Sequence, residues 1–313
     1  MGRAAYIRRR LILMVFVLFG VTVLIFSMVH FLPGDPAAVL LGDRATAQNI
    51  ALLHDQLGLN RPLPEQYWLF VSGLVRGEMG TSLTFRQPVS QLVLSRVPIT
   101  LGLAVYAMGL AAIVTLVFGL LAAVNQGRWL DQMIRVVFLF ILTTPNFWFG
   151  ILLILLLSLG LRWFPVAGFG ATLQEHVWYL FLPALTLTLF FYGGYLLLTR
   201  ATVLETLSED YITTARAKGL SERTVVFKHA LKNAALPLVT ASALQFGFLL
   251  GGAIITETVF SWDGLGYWLY QAIGWKDGPV MQAMFFIIAL CVITANFASD
   301  ILYGLIDPRI KYE

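Results

Sequence analysis

The sequence predicts an all-α membrane protein with six transmembrane helices, a helical outer loop between the first two spans and a charged hairpin between the fourth and fifth. Three observations carry that reading. The 313-residue chain is 58% hydrophobic and only 12% charged, with a mean hydropathy of +0.80, a composition typical of chains that live in a bilayer. Six runs lack any charged residue: 11–34, 97–127, 136–161, 176–199, 233–256 and 278–299. Each exceeds the ~20 residues a helix needs to cross the hydrocarbon core. Finally, ten of the 38 charged residues crowd into 200–232, a polar island in an apolar chain.

Orientation follows from Lys and Arg. With the N-terminus inside, 14 of them fall on inner segments and seven on outer ones, five of those seven in one long loop where the rule counts least. Both termini are therefore expected in the cytoplasm. The same asymmetry accounts for the net charge of +4 without invoking nucleic acid, and no basic patch with interleaved aromatics is present. A single cysteine, Cys291, excludes an internal disulfide and a cysteine metal site. His30, His54, His176 and His229 are scattered without ligand spacing, and the chain has no HExxH, GxSxG, CxxC or phosphate-cradling GxxxxGK[ST]. No catalytic residue, metal site or cofactor bound by this chain is expected.

Residues 1–32 read as a cytoplasmic N-terminus and a retained first span. The apolar run is longer than the core of a cleaved signal, and no small-residue cleavage site precedes Pro33-Gly34-Asp35-Pro36. The extracytoplasmic region, 33–96, is too long to be a mere connector and carries helix signals over 46–57, 64–76 and 88–97, the first two closed by Gly58 and Gly77. Tyr67, Trp68 and Phe70 suit a membrane–water boundary, where the middle helix serves as an interfacial cap or as a platform for an outer partner. The core, 97–305, is expected to hold spans at about 97–127, 136–161, 176–199, 234–257 and 279–305, with a cytoplasmic loop at 200–233 and a tail at 306–313. Gly102, Gly109 and Gly119 allow close helix approach in the second span, and Pro145-Asn146 predicts a kink in the third. The 12 residues 163–174 are uncharged but for their length cannot span.

The polar island reads as two short helices around a break. Ser208 or Asp210 is the expected N-cap of the first, and Gly219 its left-handed terminator. Ser221 is expected to cap the second, which carries Val225, Val226, His229, Ala230 and Asn233 on roughly one face before Pro237. A charged loop by default only sits in water. Here Ala215, Ala217 and Gly219 leave a nearly bare helix end with Tyr211 and Ile212 one turn earlier, which suits insertion into another protein's groove.

The text Tyr211-Ile212-Thr213-Thr214-Ala215-Arg216-Ala217-Lys218-Gly219-Leu220-Ser221, followed by His229-Ala230-Leu231-Lys232-Asn233-Ala234-Ala235-Leu236-Pro237, resembles the cytoplasmic loop of membrane subunits in ABC importers of the dipeptide, oligopeptide and nickel group. That loop's general signature is Glu-Ala-Ala, three residues, then Gly; here only Ala215 and Gly219 match it. Leu32-Pro33-Gly34-Asp35-Pro36, Leu57-Gly58-Leu59-Asn60-Arg61-Pro62, Gly80-Thr81-Ser82-Leu83, Leu182-Pro183-Ala184-Leu185-Thr186 and Asp307-Pro308-Arg309 resemble the same family. Trp262-Asp263-Gly264-Leu265-Gly266 departs from its usual Trp-Pro-Gly-Leu-Gly, and Lys276-Asp277-Gly278-Pro279 from its Asp-Tyr-Pro.

The resemblance implies a type I ABC importer permease fold in a bacterial cytoplasmic (inner) membrane. Its partners would be a second homologous permease subunit, two ATP-binding ATPase subunits that hold ATP and Mg, and an extracytoplasmic solute-binding protein delivering di- or oligopeptides. Tyr211, Ala215, Arg216, Ala217, Lys218, Gly219, Leu220 and Ser221 would then couple to the ATPase. Glu257 and Asp300, charged at the margins of spans, each require an account. Either they sit at the interface with a capping partner, or Glu257 meets a substrate ammonium with Gln245 and Asn296 as hydrogen-bonding neighbours. Import of nickel or another small solute by the same architecture is one alternative. A stand-alone secondary transporter is another, though no paired ionisable residues lie mid-span as that class requires.

Overall fold

A computed structural model describes residues 3–31 and 45–306 together with Ala37 and Leu41, so Pro33–Pro36 and Asp307–Arg309 lie outside the described residues. In chain order the helices are α1 (Arg3–Phe31), α2 (Ala47–Leu57), α3 (Leu63–Arg76), α4 (Val89–Leu94), α5 (Val97–Val124), α6 (Trp129–Thr143), α7 (Asn146–Leu153), α8 (Leu173–Leu207), α9 (Asp210–Ala217), α10 (Leu231–Phe260), α11 (Leu265–Trp275) and α12 (Gly278–Ile306). By length and composition four segments can cross a membrane, 6–28, 89–124, 173–207 and 278–301. A fifth is counted if α6 and α7 form one broken span; α10, 30 residues long, contributes the apolar stretch 245–260.

The third apolar run, expected to cross at 136–161 as one kinked helix, is two helical segments meeting at a 117° bend. Thr144 and Pro145 take extended backbone there (ψ 135° and 135°), because the proline ring excludes the helical conformation from the residue before it. Beyond α7 the chain continues as a π-helical stretch, Ile154–Gly160. The fourth span is longer than the expected 176–199. Thr172 and Glu175 form a capping box that starts α8 at Leu173, and the helix passes through Pro183 to Leu207.

α5, α8 and α10 form the centre of the bundle. Ala104, Ala107 and Ala111 of α5 are fully buried against Ala184 and Leu187 of α8 and against Leu249 and Ala253 of α10. Small side chains bring the backbones close, and at Gly119 a Cβ would strike the Thr199 side chain. α1 stands at the edge, tied near its N-terminal end by an Arg10–Asp300 ion pair of 3.0 Å to α12. Asp300 thus has a charged partner. Further along α1, the Tyr67 hydroxyl of α3 lies 2.8 Å from Thr22 Oγ1, with Phe26 edge-on to the ring at 5.5 Å. Tyr67→Phe is expected to loosen α3 by about 1 kcal/mol, read as faster hydrogen exchange over 63–76 with the rest unchanged.

α11 was not anticipated from the sequence. It buries Leu265, Gly266, Leu269 and Ala272 against α5, α10 and α12.

Candidate functional site

The charged hairpin is built on the end of α8. Ser208 donates to Glu205 O at 2.6 Å and finishes that helix; Glu209, in extended backbone, takes the N-cap place of α9 expected for Ser208 or Asp210. Ile212 and Ala215 turn inward and pack on Leu207, Val225 and Ala230. Ala215 is therefore small because it lies under the hairpin, a correction to the expectation that it belongs to the bare outer tip. Gly219 adopts φ +78°, with its N–H donating to Arg216 O, and a Cβ there would touch nothing; the position demands glycine for its backbone alone. Ser221 accepts from Thr224 N–H as the cap of the turn Glu222–Thr224, which passes through a π turn, Val225–Ala230, directly into α10.

Three links fix the hairpin's shape. Arg216 donates to both Glu222 carboxylate oxygens, at 2.8 and 3.3 Å. Asn233 at the start of α10 donates to the Tyr211 hydroxyl at 2.7 Å. The apolar seam beneath is continuous. What remains outward is Tyr211, Arg216, Ala217, Lys218, Gly219, Leu220 and Ser221, so seven of the eight residues expected to couple lie on one exposed tip.

Arg200 of α8 holds a carboxylate that sequence reasoning missed. Asp131, in the first turn of α6, is fully buried and accepts from Arg200 Nε at 2.6 Å and Arg200 Nη2 at 2.7 Å. The Gly127 N–H adds a third bond at 2.9 Å, and Arg135 lies 3.4 Å away. The fork geometry of a guanidinium matches a carboxylate in this way. The pair joins the α5–α6 corner to α8 two turns before α8 ends.

At the C-terminal end of α10, Glu257 is fully buried rather than open to a pathway. Its Oε1 accepts from the Thr100 hydroxyl at 2.6 Å, and Oε2 from the N–H groups of Gly266 and Tyr267 at 2.6 and 3.3 Å. Thr100 Oγ1 in turn accepts from Leu265 N–H at 2.8 Å. A carboxylate at a helix N-terminus is stabilised by the free N–H groups there. Both oxygens are thus spent within the chain, and the expected contact with a substrate ammonium is replaced by a brace holding α5, α10 and α11. Neighbouring Thr256 accepts from Asn146 Nδ2 at 3.2 Å, which ties the 117° bend to the same point.

Gln245 and Asn296 lie apart from Glu257, about 18 Å along α10 in the case of Gln245. Gln245 donates to Phe191 O at 3.0 Å and accepts from the Tyr195 hydroxyl at 3.4 Å. Asn296 is exposed on α12, and its amide lies so close to Gly247 that a Cβ at that glycine would collide with it. Gln245 and Asn296 therefore share one level near the middle of the bundle. Among the described residues no three His, Cys, Asp or Glu gather as metal ligands.

A bundle of apolar helices long enough to cross a membrane, carrying one exposed charged hairpin, defines the class: an integral membrane protein. The chain belongs to the family described as the binding-protein-dependent transport system inner membrane component, the permeases of ABC importers, whose model matches residues 115–312; the model of that family's N-terminal membrane component matches residues 4–104. It is 42% identical over 308 residues to the glutathione transport system permease protein GsiC of Escherichia coli K12, covering 98% of this chain and 99% of that one. The proteins of the same name from Escherichia coli O6:H1 and Shigella dysenteriae serotype 1 match to the same extent. Membership sets aside the stand-alone transporter reading.

Proposed function

We propose that this chain is one of two membrane subunits of an ATP-driven importer for small peptides in the size range of glutathione, delivered by an extracytoplasmic binding protein. The observation that carries this is the exposed tip of α9, preshaped by Gly219 and rooted in α8 and α10 through buried side chains. ATP and Mg belong to two partner ATPase subunits, and their closure pushes the tip. Because α8 and α10 leave the hairpin as continuous helices, the push is delivered to two spans at once. That biases a two-state equilibrium between inward-open and outward-open bundles. Both termini lie in the cytoplasm on this reading, consistent with the Lys and Arg distribution.

Gln245 and Asn296 line the path. An amide exposed in hydrocarbon with no hydrogen bond costs several kcal/mol, so the Asn296 face of α12 turns toward water, substrate or the second permease rather than lipid. A peptide's amides and charged ends would find donors and acceptors at that level. The substrate class rests on the glutathione permeases to which the chain is similar.

Purification of the tagged chain from its native host, with co-purifying proteins identified by mass, is expected to return a second permease, ATPases and a binding protein. Calorimetry on that binding protein with glutathione, dipeptides and Ni²⁺ then assigns the substrate; binding of Ni²⁺ alone would overturn the peptide reading. Gly219→Val is expected to abolish uptake and release the ATPase, since a β-branched residue cannot hold φ +78° without strain. Gly219→Asn, which tolerates that conformation, retains most uptake. Equal uptake by the valine variant would remove the coupling role.

A further inference from the structure

The segment between the π-helical stretch and α8 is fastened to α8 at both of its ends. Phe164 stacks on Trp178 and on Phe181 of that helix, at centroid distances of 4.6 and 4.7 Å. At the other end, Glu175 Oε2 accepts from the N–H groups of Ala171 and Thr172, at 2.7 and 3.3 Å. Between these anchors the strap, 164–171, reaches across to α10. Among the described residues, only one backbone N–H from Phe164 to Gly170 finds an acceptor within the chain: Gly168 donates at 3.2 Å to the carbonyl of Phe260, the last residue of α10. Phe169 supplies the second contact. Its ring lies 4.5 Å from that of Trp262, just past the end of α10, and 4.0 Å edge-on from that of His176 on α8.

The inward aim of Phe169 is built into the backbone. Gly168 and Gly170 flank it at φ +106° and +78°, where L side chains are strained, and a Cβ at Gly170 would lie 2.7 Å from that of Glu175. One aromatic is thus turned in between two glycines, while Ala167 and Ala171 stay exposed. It packs on the buried cluster that contains Trp262 and the alanine seam of α5, α8 and α10. The fit is incomplete in polar terms. Trp262 Nε1 and His176 Nδ1 are both buried without a hydrogen-bond partner, each on a ring that touches Phe169. Buried polar groups are normally paired, so the closed arrangement carries a cost that water would relieve once the ring withdrew.

We propose that Phe169 is a releasable latch between α8 and the end of α10, and that parting it opens the extracytoplasmic mouth of the path. The latch depends on the importer reading above, in which the push at the hairpin reaches α8 and α10 together. Those two helices are joined covalently through the hairpin at one pair of ends, and through the strap at the opposite pair. They can splay only where the link is breakable. The strap travels with α8 through its anchors, whereas Trp262 and α11 stay with α10 through the Glu257 brace. Separation therefore costs one hydrogen bond and one ring contact, and gives two orphaned nitrogens access to water. A modest bias suffices to switch such a latch.

The test uses the complete importer, with its binding protein, in liposomes. Phe169→Ala is expected to let preloaded glutathione escape about tenfold faster without ATP, the change that follows if the open population rises by that factor. Phe169→Leu keeps the apolar bulk and should stay tight. Assembly with the partner subunits and ATPase activity should persist in both, which separates a lost latch from misfolding. A distance reports the movement itself. In a Cys291→Ser background, spin labels at the exposed sites Val166→Cys on the strap and Tyr270→Cys on α11 should move apart when a non-hydrolysed ATP analogue and Mg²⁺ are added. A tight, fully active Phe169→Ala importer overturns the latch, and so does an unchanged label distance in an importer that transports. Absence of ATP-driven uptake by the wild type overturns the importer reading, and the latch with it.

Discussion

Asp131→Asn is expected to destabilise the protein by about 3–5 kcal/mol, because Arg200 would keep its charge in a largely buried site without a counter-ion. Asparagine keeps one carbonyl oxygen, so Arg200, the Gly127 N–H and Arg135 would compete for a single neutral acceptor. Thermal unfolding in detergent should show a drop in melting temperature on the order of 5 °C. The paired change Asp131→Leu with Arg200→Leu should recover much of that loss, since apolar side chains of similar volume remove both desolvation costs. A single variant as stable as the parent would show that the pair contributes nothing. The double variant separates stability from transmission. If the salt bridge relays hairpin movement, the double variant folds yet hydrolyses ATP without transport.

Glu257→Ala should undock α11. Three donors, Thr100 Oγ and the N–H groups of Gly266 and Tyr267, would be buried without an acceptor, at about 1–3 kcal/mol each before relaxation. Glu257→Gln keeps one carbonyl oxygen but points N–H groups at N–H groups, and should fall between parent and alanine. Cysteines placed along α11 and probed with a membrane-impermeant thiol reagent report the detachment directly. Protection unchanged from the parent would mean that packing of Leu265, Leu269 and Ala272 suffices without the carboxylate. Gly264 sharpens the point, because a Cβ there would run into Glu257, whereas at Gly266 a Cβ would first strike the Ile254 backbone.

The apolar runs and the Lys and Arg asymmetry were legible because they are one-dimensional properties of the chain. So was Gly219, whose left-handed backbone follows from local sequence. Asp131 was not, since its partner Arg200 lies 69 residues away; the only local signal was a carboxylate between Arg128 and Arg135 at the start of an apolar run. Asp277 and Ser82, hydrogen-bonded at 2.6 Å, are 195 residues apart, Thr100 and Glu257 157. In each case spacing along the chain says nothing of proximity. Ala215 illustrates a subtler failure. Its smallness was visible, but a small residue fits a bare tip and a tight seam equally well, and only the packing of Ile212 and Val225 beside it decides.

The length of α8 has a mechanical consequence. Thirty-five residues make a rod of about 52 Å, against about 30 Å of hydrocarbon, so a substantial part stands clear of the bilayer. The 25 residues from Pro183 to Leu207 form a lever arm of about 36 Å. Pivoting there, a swing of about 5° moves the free end by roughly 3 Å, which is about two residues of helical rise. On the proposed coupling, a displacement of a few ångströms at the polar tip would therefore demand only a small rotation in the close-packed alanine seam, where side chains leave room for little else.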